Sequence, residues 1–439
     1  MSRMKTYSRS YTYFGEYMTQ QIEQSTWKSK FAAMGPGILM ASAAVGGSHI
    51  VASTQAGAIY GWQLAIIIIL ANLFKYPFFR FGVQYTLSSG KSLLEGYKDK
   101  GGIYLVIFFI LNVLAGMINT AAVGIVTAAI LKFIFSALGV SFDLSIPMAG
   151  TIVIVVTWGI LLLGKYRFLD SLSKWIMIAL TISTVTAVVI AALKGGIPVA
   201  PDFIEPSPWN LAALGFIVAL MGWMPAPIEI SAINSMWVIA KKRFSKISYQ
   251  DGIFDFNVGY IGTAILAIVF LALGALVQYG SGEQVEQAGV KYIAQLIKMY
   301  AFAIGDWSKL LIAFIAFMCM FGTTITVIDG YSRANAETLR ILTGRKAHSQ
   351  TELAIWLTLT SAIGILIISV FMSDVAAMLK FAMISSFVST PIFAWLNFSL
   401  VLKGEHRVTG GLFWLAVVGL IYLTAFALLF LAQQFGIIG

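Results

Sequence analysis

The stretch GPGILMASAAVGGSHIVASTQAGAIYGW, running from Gly35 to Trp62, decides how this chain is read. It is apolar throughout and long enough to cross a bilayer, for which about 20 residues suffice. Yet its middle is Val45-Gly46-Gly47-Ser48-His49. Paired glycines followed by two polar residues do not sustain a continuous helix. Inside a membrane, a freed backbone group is tolerated only where protein or a wet cavity satisfies it, so a break here marks a solute site near the bilayer midplane. The competing reading is a stripe of small residues against which another helix packs closely. At this point both stand.

Composition extends the membrane reading to the whole chain. Of 439 residues, 59% are hydrophobic and 11% charged, and the mean hydropathy is +0.86. A polytopic membrane protein needs that balance and a soluble domain does not. A net charge of +10 is explained by Lys and Arg in cytoplasmic connections rather than by nucleic acid. The single cysteine, Cys319, excludes an internal disulfide, and with histidines only at 49, 348 and 406 there is no Cys/His zinc spacing. The first 30 residues are expected to be a cytoplasmic tail without a signal-peptide core, in part an amphipathic helix near Tyr11 to Trp27. Neither a P-loop nor a hydrolase motif occurs, so no enzyme activity, ATP drive or cofactor is expected.

Apolar runs predict eleven spans, at 32–60, 63–86, 103–135, 147–164, 168–193, 210–238, 253–278, 305–336, 351–372, 375–402 and 410–435. Charge supports the count. The N-terminal tail carries Arg3, Lys5, Arg9, Lys28 and Lys30, and every second connection is basic: Lys91, Lys98 and Lys100; Lys165 and Arg167; Lys241 to Lys246; Arg340 to Lys346; Lys403 and Arg407. The other connections are nearly bare or balanced, as in Lys291 and Lys298 against Glu283 and Glu286. This alternation predicts a cell-membrane protein with a cytoplasmic N-terminus and an extracytoplasmic C-terminus.

The sixth span is interrupted too. It reads Met221-Gly222-Trp223-Met224-Pro225-Ala226-Pro227-Ile228-Glu229, and two prolines so close remove two donors and clash with the preceding turn. Breaks in spans one and six, five spans apart, fit two inverted five-helix repeats with discontinuous first helices. The expected fold is therefore all-α and integral to the membrane: the leucine-transporter (APC-type) fold plus an eleventh helix. Its parts are a tail at 1–30, repeat one at 31–193, an extracellular loop at 194–209, repeat two at 210–402, and the eleventh helix and C-terminus at 403–439.

Around these breaks the sequence resembles the NRAMP family of proton-coupled divalent-metal transporters, from about Lys28 to Phe435. Gly35-Pro36-Gly37 with Ala56-Gly57-Ala58 and Gly61 is similar to the family's first span. Arg80-Phe81-Gly82 and Ser89 to Leu93 are similar to its second span and following loop, and Met224-Pro225 to the Met-Pro of its sixth. The resemblance also shows what is missing. The family's Asp-Pro-Gly-Asn is here Gly46, Gly47, Ser48 and His49, so the metal-binding carboxylate is replaced by Gly46 and the amide ligand by His49. Its Met-Pro-His-Asn ends here in Ala226 and Pro227, a later histidine falls at Ser231, and the acidic residues of its third span fall near Thr120 and Val123. Alternating access carried over from the fold rocks helices one, two, six and seven against a scaffold of three, four, eight and nine.

A hard or borderline divalent ion needs anionic oxygen to repay its dehydration. The altered site offers none on its own signature positions. A Gly-Gly-Ser break instead exposes N–H groups and a half-helix dipole that suit an anion such as a carboxylate, while Trp223 can wall a pocket or face an ammonium. The expected site is Gly46, Gly47, Ser48, His49, Trp223, Met224 and Ala226, taking an amino-acid-like or other small organic ion. The alternative is a divalent-metal carrier (Mn, Fe or Mg class) rebuilt on His49 and Met224, helped by Glu229 unless that residue pairs with Lys75 or Lys380. Asn119, Thr120, Glu229 and Asp329 are pathway or coupling candidates, with Asp329 alternatively paired to Arg333. Thr323, Thr324, Thr326, Ser385, Ser386, Ser389 and Thr390 either line a pathway or bond their own helices. The expected partners are the lipid bilayer, the solute and a co-transported H+ or Na+, in a symporter that binds no nucleic acid.

Overall fold

The computed structural model describes residues 26–140, 144–164, 166–347, 349–370, 374–403 and 406–438, with the side chains of 166–174 left aside. The expected amphipathic helix near Tyr11, the basic residues of the tail before Thr26, Lys165, the side chain of Arg167, and His348 lie outside what is described. A short helix, α1 (Trp27–Ala33), opens the described chain, capped by a reciprocal Thr26–Ser29 box.

The first span comes in pieces. Helix α2 (Pro36–Ala44) ends at the glycine pair, a π-helical turn follows over Ser48–Ser53, and α3 (Thr54–Tyr60) completes the crossing at an angle of 50° to α2. A π turn leaves wider carbonyl spacing, which Ser53 and Thr54 close by donating their hydroxyls to the Ser48 and His49 carbonyls. Next come α4 (Ala65–Ser89), a short α5 (Leu93–Lys100), α6 (Gly102–Ala137), α7 (Ile146–Leu162) and α8 (Tyr166–Leu193). Span six is α9 (Leu211–Gly222) and α10 (Ile230–Lys242), separated by the proline segment. The remainder is α11 (Tyr249–Val277), α12 (Val290–Ile304), α13 (Ser308–Leu342), α14 (Gln350–Val370), α15 (Val375–Leu400) and α16 (Gly410–Gln434).

Among the described residues this gives eleven crossings, two of them broken, in the leucine-transporter arrangement. Two helices fell where the sequence reading left plain connections. Helix α5 follows from a capping box, with Ser92 and Glu95 each satisfying the other's backbone N–H. Helix α12 lies over the first span, where the Tyr292 hydroxyl donates to the Ile50 carbonyl at 2.7 Å.

Span one packs along α11 through glycines at both ends. A Cβ on Gly37 would lie 2.2 Å from the Asp255 carbonyl oxygen, and one on Gly57 only 1.9 Å from that of Leu271. Only hydrogen fits there. Asp255 of α11 also accepts from the N–H of Gly35 at 3.0 Å and of Gly37 at 2.6 Å, satisfying two orphan donors at the start of α2. The two readings of the opening stretch thus divide between its glycines: Gly37 and Gly57 serve close packing, while Gly46 and Gly47 open the helix.

Candidate functional site

The two breaks meet around a cavity. It is lined by Ala43, Ala44, Gly46, Gly47 and Ser48 from span one, Trp223, Ala226, Pro227 and Ile230 from span six, Asn119 and Val123 from α6, and Thr323, Val327 and Tyr331 from α13. Its volume is about 40 Å³, counted as space open to the centre of a water-sized sphere, which is room for about three waters. Gly47 brings the breaks into contact: a Cβ there would sit 2.7 Å from the Trp223 ring. At Gly46 a Cβ would meet the Thr323 hydroxyl at 3.1 Å, with the Met320 sulfur at 3.5 Å. A side chain at this position would thus press its first carbon against α13. Among the described residues, the N–H groups of Gly46 and Gly47 take no acceptor.

A line of hydrogen bonds crosses behind the cavity. The Trp223 indole N–H donates to Asn119 Oδ1 at 3.1 Å and to Ser386 Oγ at 3.2 Å. Asn119 donates to the Tyr331 hydroxyl at 3.0 Å, and Tyr331 donates to Glu229 Oε1 at 2.9 Å. Each donor in this line has a defined acceptor, which fixes the indole across the gap between the broken spans. The line ends on a buried carboxyl whose other oxygen, Oε2, has no hydrogen-bond partner among the described residues.

The far side of the sixth-span break is closed by Lys75 of α4, which is wholly buried. Its ammonium nitrogen lies 2.6 Å from the Met221 carbonyl oxygen, 2.9 Å from that of Gly222 and 3.4 Å from that of Ala226. The first two end α9, where the half-helix dipole is negative and a cation is favoured, and the third belongs to the unwound segment beyond it. The carbonyl end of α2 is treated differently. Among the described residues its Val45 oxygen receives only the Cys319 thiol at 3.3 Å and the Thr323 hydroxyl at 3.5 Å.

Of the residues expected at the site, Gly46, Gly47, Ser48, Trp223 and Ala226 lie on one wall, and Asn119 joins them. His49 and Met224 do not; both are wholly buried behind it. The His49 ring turns to α11, with Nε2 at 3.0 Å from the Thr263 carbonyl and Nδ1 at 2.7 Å from Ser48 Oγ. A carbonyl only accepts, so Nε2 carries a proton, and Nδ1 faces the Ser48 hydroxyl, which also donates to the Ala44 carbonyl at 2.8 Å. The ring is thus turned to α11 and away from the cavity, which corrects the expectation of His49 as a wall residue and metal ligand. Thr120 faces α14, its methyl 2.7 Å from where a Cβ of Gly364 would be. Asp329 is held by Arg333 at 2.7 and 2.8 Å, the ion pair that the sequence offered as one of its two readings. Among the described residues Glu229 forms no salt bridge with Lys75 or Lys380: the Lys75 nitrogen sits on carbonyls, and Tyr331 holds the carboxyl.

Tyr331 was missed by sequence reasoning, although Thr323, Val327 and Tyr331 repeat every fourth residue and so share one helix face. Among the described residues no three His, Cys, Asp or Glu side chains gather as a metal site.

Comparison with known proteins agrees with this architecture. The profile of the family described as Nramp, natural resistance-associated macrophage protein-like, matches residues 37–433. The uncharacterized protein PM0681 of Pasteurella multocida is 70% identical over 421 residues, covering 95% of this chain and 96% of that protein. Among solved structures, a point mutant of the Eremococcus coleocola manganese transporter superposes with a TM-score of 0.71 at 16% identity, over 94% of this chain and 88% of that one. MhsT in complex with L-phenylalanine superposes with a TM-score of 0.60 at 12% identity, over 90% and 97% of the two chains. At such identities the structures speak for the fold, while the profile and the near relative speak for the family. The chain belongs to the Nramp family and is a multi-pass secondary transporter with the leucine-transporter fold.

Proposed function

We propose that this transporter moves a small organic solute bearing an anionic group, such as an amino-acid-like carboxylate, rather than a bare divalent cation. The observation that carries the reading is the cavity wall, which contains no carboxylate, imidazole or thiol. An ion stripped of water there would meet only hydroxyls, an amide, an indole and aliphatic groups, too little to repay dehydration. The free N–H groups of Gly46 and Gly47, at the positive end of the second half-helix, suit a carboxylate instead. At about 40 Å³ the cavity is closed down, so the solute enters as the broken helices part from the scaffold, which is alternating access. A downhill H+ gradient drives the cycle. The basic connections and the odd number of crossings support a cytoplasmic N-terminus and an extracytoplasmic C-terminus.

One observation favours the rival reading of a rebuilt metal carrier: the unpartnered Oε2 of Glu229 lies one side chain behind Tyr331. Proteoliposomes separate the two. Uptake of labelled amino acids and other small carboxylates is expected under an imposed gradient, with loss in Trp223→Ala and no saturable Mn2+ influx. Saturable Mn2+ influx that Glu229→Gln abolishes would replace this reading with the metal one.

A further inference from the structure

We propose that Lys75 is the resident cation of this transporter, a tethered ammonium that fills the carbonyl cage at the sixth-span break and closes it to free ions. The stoichiometry fits. An ammonium has three donors, and three carbonyl oxygens, those of Met221, Gly222 and Ala226, converge on Nζ at 2.6, 2.9 and 3.4 Å. Carbonyls at the unwound end of a half-helix are the oxygen ligands that a small cation takes in a broken transporter helix. Here α4 delivers the positive charge covalently. The cage is also braced from behind: a Cβ on Gly222 would lie 1.9 Å from the Met383 carbonyl oxygen, so α15 presses the broken segment from its other side. Ala226 belongs to both features, giving its carbonyl to Lys75 and lining the cavity. Any movement of that segment during transport therefore moves against the lysine. The assignment concerns the charge behind the wall and is independent of which solute the cavity takes.

Thermal unfolding of the purified full chain in detergent tests it, with choline chloride exchanged at constant ionic strength for NaCl, LiCl, KCl or ethylammonium chloride, and with MnCl2 added separately. The wild type is expected to melt at one temperature throughout the series. Lys75→Ala should melt lower in choline and recover saturably, by about 2 °C or more, with Na+, Li+ or ethylammonium, and Lys75→Arg should stay unresponsive. Saturable stabilisation of the wild type by any of the small cations would overturn the proposal. So would a Lys75→Ala protein that is as stable as the wild type in choline and indifferent to every salt. If Lys75→Ala cannot be purified, the wild-type series decides alone, a flat response supporting the proposal and a saturable one overturning it.

Discussion

The two breaks in this protein solve the same problem in opposite ways. Both expose backbone at mid-membrane depth, where an unmet polar group costs several kcal/mol. The first break uses glycines and leaves donors facing the cavity, while its Val45 carbonyl receives only a thiol and a hydroxyl at 3.3 and 3.5 Å. The second break uses prolines, which remove donors, and gathers its acceptors on one buried ammonium. One break is thus donor-rich and open, and the other acceptor-rich and filled. The lesson is that the cavity between them is neutral on its wall although a lysine and a glutamate lie just behind it.

Substitutions should separate the two breaks by size of effect. The largest contrast is between glycines. Gly222→Ala puts a methyl 1.9 Å from a backbone oxygen of α15 that cannot yield, whereas Gly46→Ala meets the Thr323 side chain at 3.1 Å. The first should give no monodisperse protein by size-exclusion chromatography, and the second should give nearly normal yields. Next comes the capping of carbonyls. Lys75→Met strands three acceptors and should cost about 2–4 kcal/mol, while Cys319→Ala removes one weak donor and should cost no more than about 1 kcal/mol; denaturant unfolding compares them. Equal losses would erase the distinction between the breaks.

Smaller effects sharpen it. Trp223→Phe keeps the ring against Gly47 but removes the bonds to Asn119 and Ser386. Solute affinity should fall about tenfold, as for the loss of one to two hydrogen bonds, measured by transport kinetics with protein yield unchanged. Gly46→Asp restores a carboxylate to the wall without other metal ligands, so calorimetry should find no Mn2+ binding tighter than about 1 mM. A much tighter site would mean that the wall needs only that one group to hold a metal. The least effect is expected from His49→Gln, about 1 kcal/mol of stability from the Thr263 contact, with transport intact.

Both breaks were legible because glycine pairs and closely spaced prolines act on the backbone locally, whatever surrounds them. The eleven crossings were legible for a similar reason, since apolar length and flanking charge are properties of each segment alone. Facing was harder. Each helical residue turns the next side chain by about 100°, and the π turn over Ser48–Ser53 inserts extra backbone at the point where His49 chooses its side. Nothing in the one-dimensional order announces that turn, so His49 read as a wall residue. Lys75 was noticed only as a partner for Glu229, because carbonyl acceptors carry no letter in a sequence. Tyr331 is the reverse case: its four-residue spacing from Thr323 and Val327 was readable, but hydroxyl residues drew attention away from an aromatic one.

The grip of Asp255 on the start of α2 bears on how that end of the transporter opens. With a carboxylate pinning two amides and the Gly37 seam beside it, the lower half of the first crossing cannot peel away from its neighbour singly. Helices α2 and α11 should swing as a single slab. Spin labels on α2 and α11 would then report one unchanging separation through the whole cycle.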